Sequence, residues 1–275
     1  MAISPLIEDQ TPQDANAPVV SFRDVSLNFS NTVLFDNISL QVQPGETRIV
    51  LGESGAGKSV LLKMADGLIK PDSGCVTVFG QKVSGTDDLN ELRQRIGMVF
   101  QEGALFDSLT VRDNVAYRLM EEQVPGAEID QRVREALRFV ELEHAIELFP
   151  SEISGGMRRR VAIARAIVTR PDLLLYDSPT GGLDPITSHT IIELIVKQRD
   201  VYGTSSLLVT HRLQDAFTMT THRYDVAQQR MVPLSKGMFD PQTTFLVLHQ
   251  GHIVFDGSLE QLLSTTDPFL REFIR

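Results

Sequence analysis

Hydrophobic and polar positions change their period several times along the chain, and each change predicts an element. Residues 19–42 alternate in short stretches, with Leu40 and Val42 separated by Gln41, and Pro44-Gly45 marks a turn. That pattern predicts antiparallel strands. Residues 47–51 form a further strand that runs straight into the glycine-rich residues 52–57, followed by an apolar helical stretch over residues 60–68 that ends before Lys70-Pro71. Residues 75–79 and 96–100 are strand candidates as well. From residue 110 to about 152 the spacing turns helical, with Val133, Leu137 and Val140 following the i, i+4, i+7 rule. Residues 157–168 carry Arg158, Arg159, Arg160 and Arg165 among Val161, Ile163 and Ile167, as in an amphipathic helix, and Pro171 breaks it. The unbroken run Leu173-Leu174-Leu175-Tyr176 suits a central parallel strand buried on both faces. Residues 206–209 are another, with helical spacing at residues 186–196 between the two. Residues 245–248 and 253–255, split by Gln250-Gly251, predict a late hairpin. Strands alternating with helices place the chain in the α/β class.

Length and charge narrow the picture. A chain of 275 residues fits one large domain or a core with a subdomain. Its balance of 26 Lys+Arg against 36 Asp+Glu, net −10, and the lack of any run of five basic residues disfavour nucleic-acid binding. The single cysteine, Cys75, excludes an internal disulfide and fits a cytosolic setting. Residues 1–17 are rich in Asp, Gln, Pro and Ala and lack the basic start and apolar run of a signal peptide, so a flexible tail is expected. No apolar run approaches the roughly 18–20 residues needed to cross a bilayer, so any membrane role is expected to run through a partner. Residues 218–244 are the least patterned, with Pro233, Gly237 and Pro241.

The strongest chemical signal is Gly52-Glu53-Ser54-Gly55-Ala56-Gly57-Lys58-Ser59, a complete G-x-x-x-x-G-K-[ST] loop between a predicted strand and helix. Such a loop turns backbone N–H groups toward a phosphate, Lys58 reaches the β/γ-phosphates, and the Ser59 hydroxyl ligates Mg²⁺. A P-loop also needs a carboxylate at the end of a neighbouring apolar strand, because Mg²⁺ takes hard oxygen ligands. Asp177, directly after Tyr176, meets that need. ATP with Mg²⁺ is the expected ligand, and the fold class sharpens to an α/β P-loop NTPase with a parallel-sheet core.

With these residues placed, residues 19–275 resemble the nucleotide-binding subunit of an ATP-binding cassette (ABC) transporter. Gln101 matches the Q-loop glutamine, Ser154-Gly155-Gly156-Met157-Arg158 the signature, Gly182-Leu183-Asp184 the D-loop and His211 the switch histidine. Phe29 reads either as the aromatic that stacks on adenine or as a core residue of its strand. The resemblance implies an antiparallel β subdomain, a helical subdomain over about residues 104–153, and an ABC ATPase domain spanning residues 18–275. It assigns Gln101, Asp177, Ser178 and His211 to catalysis and Ser59, Gln101 and Asp177 to the metal. Phe29, residues 52–59, Ser154, Gly155, Gly156 and Asp184 fall to nucleotide binding. It further implies a homodimer or heterodimer in which Ser154 and Gly156 of one chain meet the γ-phosphate held by Lys58 of the other. A separate integral membrane permease is implied too, contacted at residues 103–106, which puts the chain on the cytoplasmic face of an inner membrane. Gly103-Ala104-Leu105-Phe106, residues 110–117, Met157 and the closing Asp267-Pro268-Phe269-Leu270-Arg271 resemble the Mla/Mce branch, which moves phospholipids or other hydrophobic molecules with an Mce-like substrate-binding protein. An ATPase of another ABC importer, a regulatory ATP-binding ABC protein and a soluble ABC ATPase acting on nucleic acid or ribosomes are the alternatives.

Two departures matter. Ser178 stands where the family carries the glutamate that polarises the attacking water, and a serine hydroxyl is no general base at neutral pH. Slow ATP hydrolysis with intact binding is therefore expected. Residues 218–244 also exceed a short connection and read as an insertion, by default a disordered loop and otherwise a regulatory or partner contact.

Overall fold

A computed structural model describes residues 17–29, 32–83 and 89–275. The expected tail lies outside the described residues, apart from Ala17. A four-stranded antiparallel sheet is built from β1 (Val20–Phe29), β2 (Thr32–Val42), β4 (Ser73–Val78) and β5 (Gln81–Lys82), in the order β2-β1-β4-β5. A six-stranded sheet follows the order β12 (His252–Ser258), β11 (Thr243–His249), β3 (Thr47–Gly52), β8 (Ser205–Val209), β7 (Leu173–Asp177), β6 (Ile96–Val99). Every neighbouring pair in it is parallel except β11 with β12, the expected hairpin, which forms the edge.

The unbroken apolar character of β7 follows from its coverage. Leu174 and Tyr176 point into a core shared with α3 (Val111–Glu121), α4 (Gly126–Phe139), α5 (Gly155–Ile167) and α6 (Pro185–Tyr202). Leu173 and Leu175 point the other way, toward α1 (Lys58–Ala65) and the antiparallel sheet. Neither face meets water, so neither carries polar positions. Truncating one of these leucines to alanine costs about 2–5 kcal/mol. The helical spacing over residues 110–152 resolves into α3 and α4 followed by two single 3₁₀ turns. The short helices α2 (Asn90–Gln94), α7 (Leu213–Thr221), α8 (Leu259–Leu263) and α9 (Pro268–Phe273) are the remaining α-helices among the described residues. No helix among the described residues is long and apolar enough to cross a membrane.

Residues 222–233, within the stretch expected to be a loop, form an antiparallel hairpin of β9 (His222–Asp225) and β10 (Arg230–Pro233). Its anchors lie on α6. Arg199, 3% exposed, donates to the carbonyls of Met219 (2.7 Å) and His222 (2.9 Å) and pairs with Asp240 (2.9 Å). Backbone N–H groups of Tyr224 and Met231 donate to Asp200 and Glu193. Partners this distant in the chain leave no local pattern, which is why the hairpin is not legible in the sequence.

Candidate functional site

Strands β3, β8, β7 and β6 end at one edge of the sheet, the edge where open parallel sheets place ligands. The loop after β3 closes with Gly57 at φ +89°, the N-cap of α1, where a Cβ would lie 2.8 Å from the Phe35 ring. Only glycine turns the chain there. The Lys58 ammonium is buried and donates to the carbonyls of Gly52 and Glu53, both at 2.7 Å. Burial pushes its pKa below the usual lysine range, while Asp177 and then Glu53 pull it back up. The amine is thereby parked over its own loop.

Ser59 donates from Oγ to Asp177 Oδ1 at 2.9 Å. Beside this pair lies a cavity of about 480 Å³ lined by Ser54, Gly55, Gly57, Lys58, Ser59 and Val60 on the loop side. Gln101 after β6, Ser178 after β7 and His211 after β8 line it too, with Phe29 and Leu34 from the antiparallel sheet. Phe29 is 58% exposed and so does not sit in the core. Leu34 is an addition, since its sequence context marks it only as strand material. The donor set suits a hard cation, since a hydroxyl, a carboxylate and an amide oxygen carry no soft ligand and leave room for retained waters. None of the described lining residues carries a carboxylate, and Asp177 joins the site through its hydrogen bond from Ser59.

Ser178 is 8% exposed with φ +44°. Its N–H donates to the Val209 carbonyl and its own carbonyl accepts from Gly181, both at 2.9 Å, which fixes the end of β7 to β8 and to the following loop. Its hydroxyl offers no proton acceptor of carboxylate strength.

The remaining expected residues lie apart from this cavity. Ser154 is the N-cap of α5, accepting from the Met157 N–H at 3.2 Å, so Gly155 and Gly156 occupy the first helical turn. Asp184 is the N-cap of α6, accepting from Ile186 and Thr187 at 3.0 Å each. The first turns that follow these caps touch, because a Cβ on Gly156 would sit 2.5 Å from Thr187 Cγ2. The structure brings Lys58, Ser59, Asp177, Gln101, Ser178, His211 and Phe29 together and leaves Ser154, Gly155, Gly156 and Asp184 on a separate, adjoining face.

A second concavity of about 740 Å³ includes Asp66, Phe100, Ala104, Phe106, Tyr117 and Arg165. Residues 103–106 are firmly held there. Arg165 donates to the carbonyls of Gly103 (2.7 Å) and Ala104 (2.8 Å). The buried Asn114 accepts from the Phe106 N–H at 2.8 Å and shares its amide hydrogens among the carbonyls of Phe106, Leu109 and Thr110, each at 3.0 Å. Phe106 is left partly exposed, its ring 4.8 Å from that of Tyr117.

The comparisons with known proteins agree with this architecture. Residues 35–181, more than half the chain, match the ABC transporter family model. The chain is 36% identical over 261 residues to the intermembrane phospholipid transport system ATP-binding protein MlaF of Escherichia coli K12, covering 94% of this chain and 89% of that one. It is also 36% identical over 262 residues to the methionine import ATP-binding protein MetN 2 of Bacillus cereus, covering 93% of this chain and 72% of that one. Among solved structures, a dimeric ATP-binding cassette in a post-hydrolysis state bound to ADP and Pi superposes with a TM-score of 0.73 at 29% identity, over 87% of this chain and 98% of that chain. The cbiO1 protein of Clostridium perfringens, part of the ABC transporter complex cbiONQ, gives 0.76 at 25% identity over 94% and 95%. Fold, phosphate loop and sequence similarity together place this chain in the ABC transporter family, as one of its ATP-binding subunits.

Proposed function

We propose that the chain binds and hydrolyses ATP to energise a membrane transporter of phospholipids or other hydrophobic molecules in a bacterial envelope. The observation that carries the ATP half is one cavity at the ends of parallel strands lined by Lys58 and by Ser59, whose hydroxyl donates to Asp177. Similarity to MlaF over nearly the whole chain supports the cargo.

In this reading the loop amides and Lys58 hold the phosphates, and Ser59, Asp177 and Gln101 hold Mg²⁺. When bound, the ion neutralises phosphate charge. Gln101 and His211 orient the water. Ser178 leaves that water without a carboxylate base, so turnover is slow relative to a Ser178→Glu variant, a base being worth typically about 10²- to 10⁴-fold. Two chains pair head to tail, as a homodimer or with a second ATPase, so that Ser154, Gly155, Gly156 and Asp184 complete the partner's site. The pair docks on the cytoplasmic face of an integral permease through the Phe106 groove, in a complex that includes an Mce-like substrate-binding protein. A second reading, a small-molecule importer ATPase, draws on the equal identity to MetN 2, of which this chain spans only 72%.

The test is to co-purify the chain with its membrane partner and reconstitute the complex in vesicles. ATP-dependent phospholipid transfer is the expected result. Amino-acid uptake without lipid movement overturns the cargo, and failure to bind ATP overturns the whole reading.

A further inference from the structure

The loop between Ser178 and α6 is gripped by two arginines. Arg159, the fifth residue of α5, is 7% exposed and among carbonyls. Its Nη2 donates to the Gly181 carbonyl at 3.0 Å and its Nη1 to the Phe100 carbonyl at 3.2 Å. Arg212, the residue after His211, donates from Nη1 to the carbonyls of Thr180 (3.2 Å) and Leu183 (3.3 Å) and to Ser188 Oγ (2.9 Å). Its Nε pairs with Asp215 at 3.1 Å, and Asp215 accepts from the Thr180 hydroxyl. Carbonyls at residues 180, 181 and 183 are thus all held by guanidinium groups, whose planar array of donors spans several acceptors at once.

Each arm starts beside the phosphate cavity. Phe100 precedes Gln101 and Arg212 follows His211, and both Gln101 and His211 line that cavity. Each arm ends on the separate face. Residues 180–183 lead into Asp184, which accepts from the Thr187 hydroxyl at 2.6 Å, and Thr187 packs against Gly156. Arg159 also rides on the helix whose first turn carries Gly155 and Gly156.

We propose that Arg159 and Arg212 act as positioning residues, a two-armed clamp through which the occupant of a chain's own phosphate cavity sets the presentation of Ser154, Gly155 and Gly156 to a second copy of the chain. A displacement of Gln101 or His211 by a bound γ-phosphate moves the Phe100 carbonyl or the Arg212 backbone, and the clamp passes it to residues 180–187 and the start of α5. Coupling of this kind travels through a contiguous hydrogen-bonded network with stiff elements at both ends. Its consequence is positive cooperativity between the two ATP sites of a dimer. The inference rests on the ATP-dependent dimer proposed above.

The experiment titrates a fluorescent ATP analogue against the full-length chain in complex with its permease, and against dilute, monomeric chain. Wild type is expected to bind cooperatively in the complex, with a Hill coefficient rising toward the limit of about 2 set by two sites. Arg159→Met and Arg212→Met are expected to bring it to about 1 while monomer affinity stays within about 2-fold, and Arg159→Lys, able to reach one carbonyl, to recover part of the loss. If a methionine variant fails to fold, Arg159→Lys and Arg212→Lys carry the test. Unchanged cooperativity in the variants overturns the clamp, as does non-cooperative binding by a wild-type complex. Absence of ATP binding by wild-type monomer is a different failure, that of the functional reading itself.

Discussion

Ser59 and Asp177, 118 positions apart, meet in a 2.9 Å hydrogen bond from hydroxyl to carboxylate. Ser59 lies in the first turn of α1, just after the loop that follows β3, and Asp177 ends β7; the two strands are not neighbours in the sheet, since β8 lies between them. Asp177→Asn keeps an oxygen that accepts from Ser59 but removes the charge a hard cation needs. ATP affinity with Mg²⁺ should fall to the level measured in EDTA, a loss of roughly tenfold or more for one charge-assisted contact. Calorimetry with and without EDTA checks this. An unchanged Mg²⁺ effect in the variant removes Asp177 from the metal site.

Lys58 sets a pH dependence. Its pKa is lowered in the folded chain, chiefly by burial, so between that value and the ordinary 10.5 the unfolded chain holds more protons. Stability of the nucleotide-free protein should therefore rise with pH through that window. Phosphate beside the amine favours the charged form, so ATP binding should take up a proton there and weaken as pH rises. Titrations in two buffers of different ionisation heat measure the uptake. Lys58→Met should abolish it and weaken binding by roughly 10- to 150-fold.

Ser178→Glu should raise steady-state ATPase activity in the permease complex, by up to the roughly 10²- to 10⁴-fold that a positioned base supplies. Ser178→Ala should leave the rate near wild type, because the hydroxyl contributes no base. Equal rates for the serine and glutamate forms would falsify the proposal that this position limits turnover.

Gly156 and Thr187 make a contact that a methyl group cannot enter. Gly156→Ala should destabilise the fold by roughly 1–3 kcal/mol. At an open helical position the same change would instead stabilise by roughly 0.5–1 kcal/mol. Adding Thr187→Ser removes the clashing methyl while keeping the hydroxyl for Asp184, and should restore part of the loss. Thermal unfolding of the two single variants and the double variant gives the coupling, expected in the range of about 0.5–3 kcal/mol.

The β9–β10 hairpin is held at its base, not at its tip. Replacing residues 226–229, all exposed, by Asn-Gly should leave ATP affinity and melting temperature close to wild type. Arg199→Met should cost about 3–5 kcal/mol, because Asp200 and Asp240 then lose the cation they face in a largely buried setting. A tip replacement that weakens ATP binding would instead tie the hairpin to the nucleotide site.

The sequence by itself determined the core strands and the helices of the helical subdomain, though not the β9–β10 hairpin, because a buried face imposes its period on the residues that form it. Leu173 to Tyr176 announced a doubly covered strand, and residues 52–59 announced their loop because the glycines, lysine and serine of a phosphate cradle are contiguous. Tertiary structure alone decided that Asp177 accepts from Ser59, that Phe29 is exposed beside the cavity, and that Gly156 faces Thr187 instead of Lys58 of its own chain. It alone decided the burial of Arg159, which nothing in the sequence distinguishes from Arg158, exposed, and Arg160, half-buried, on either side of it. The physical reason is the identity of its partners. Arg159, Arg212 and much of the Arg199 network bond backbone carbonyls, and every residue has one, so no side chain elsewhere in the sequence marks where such a guanidinium ends.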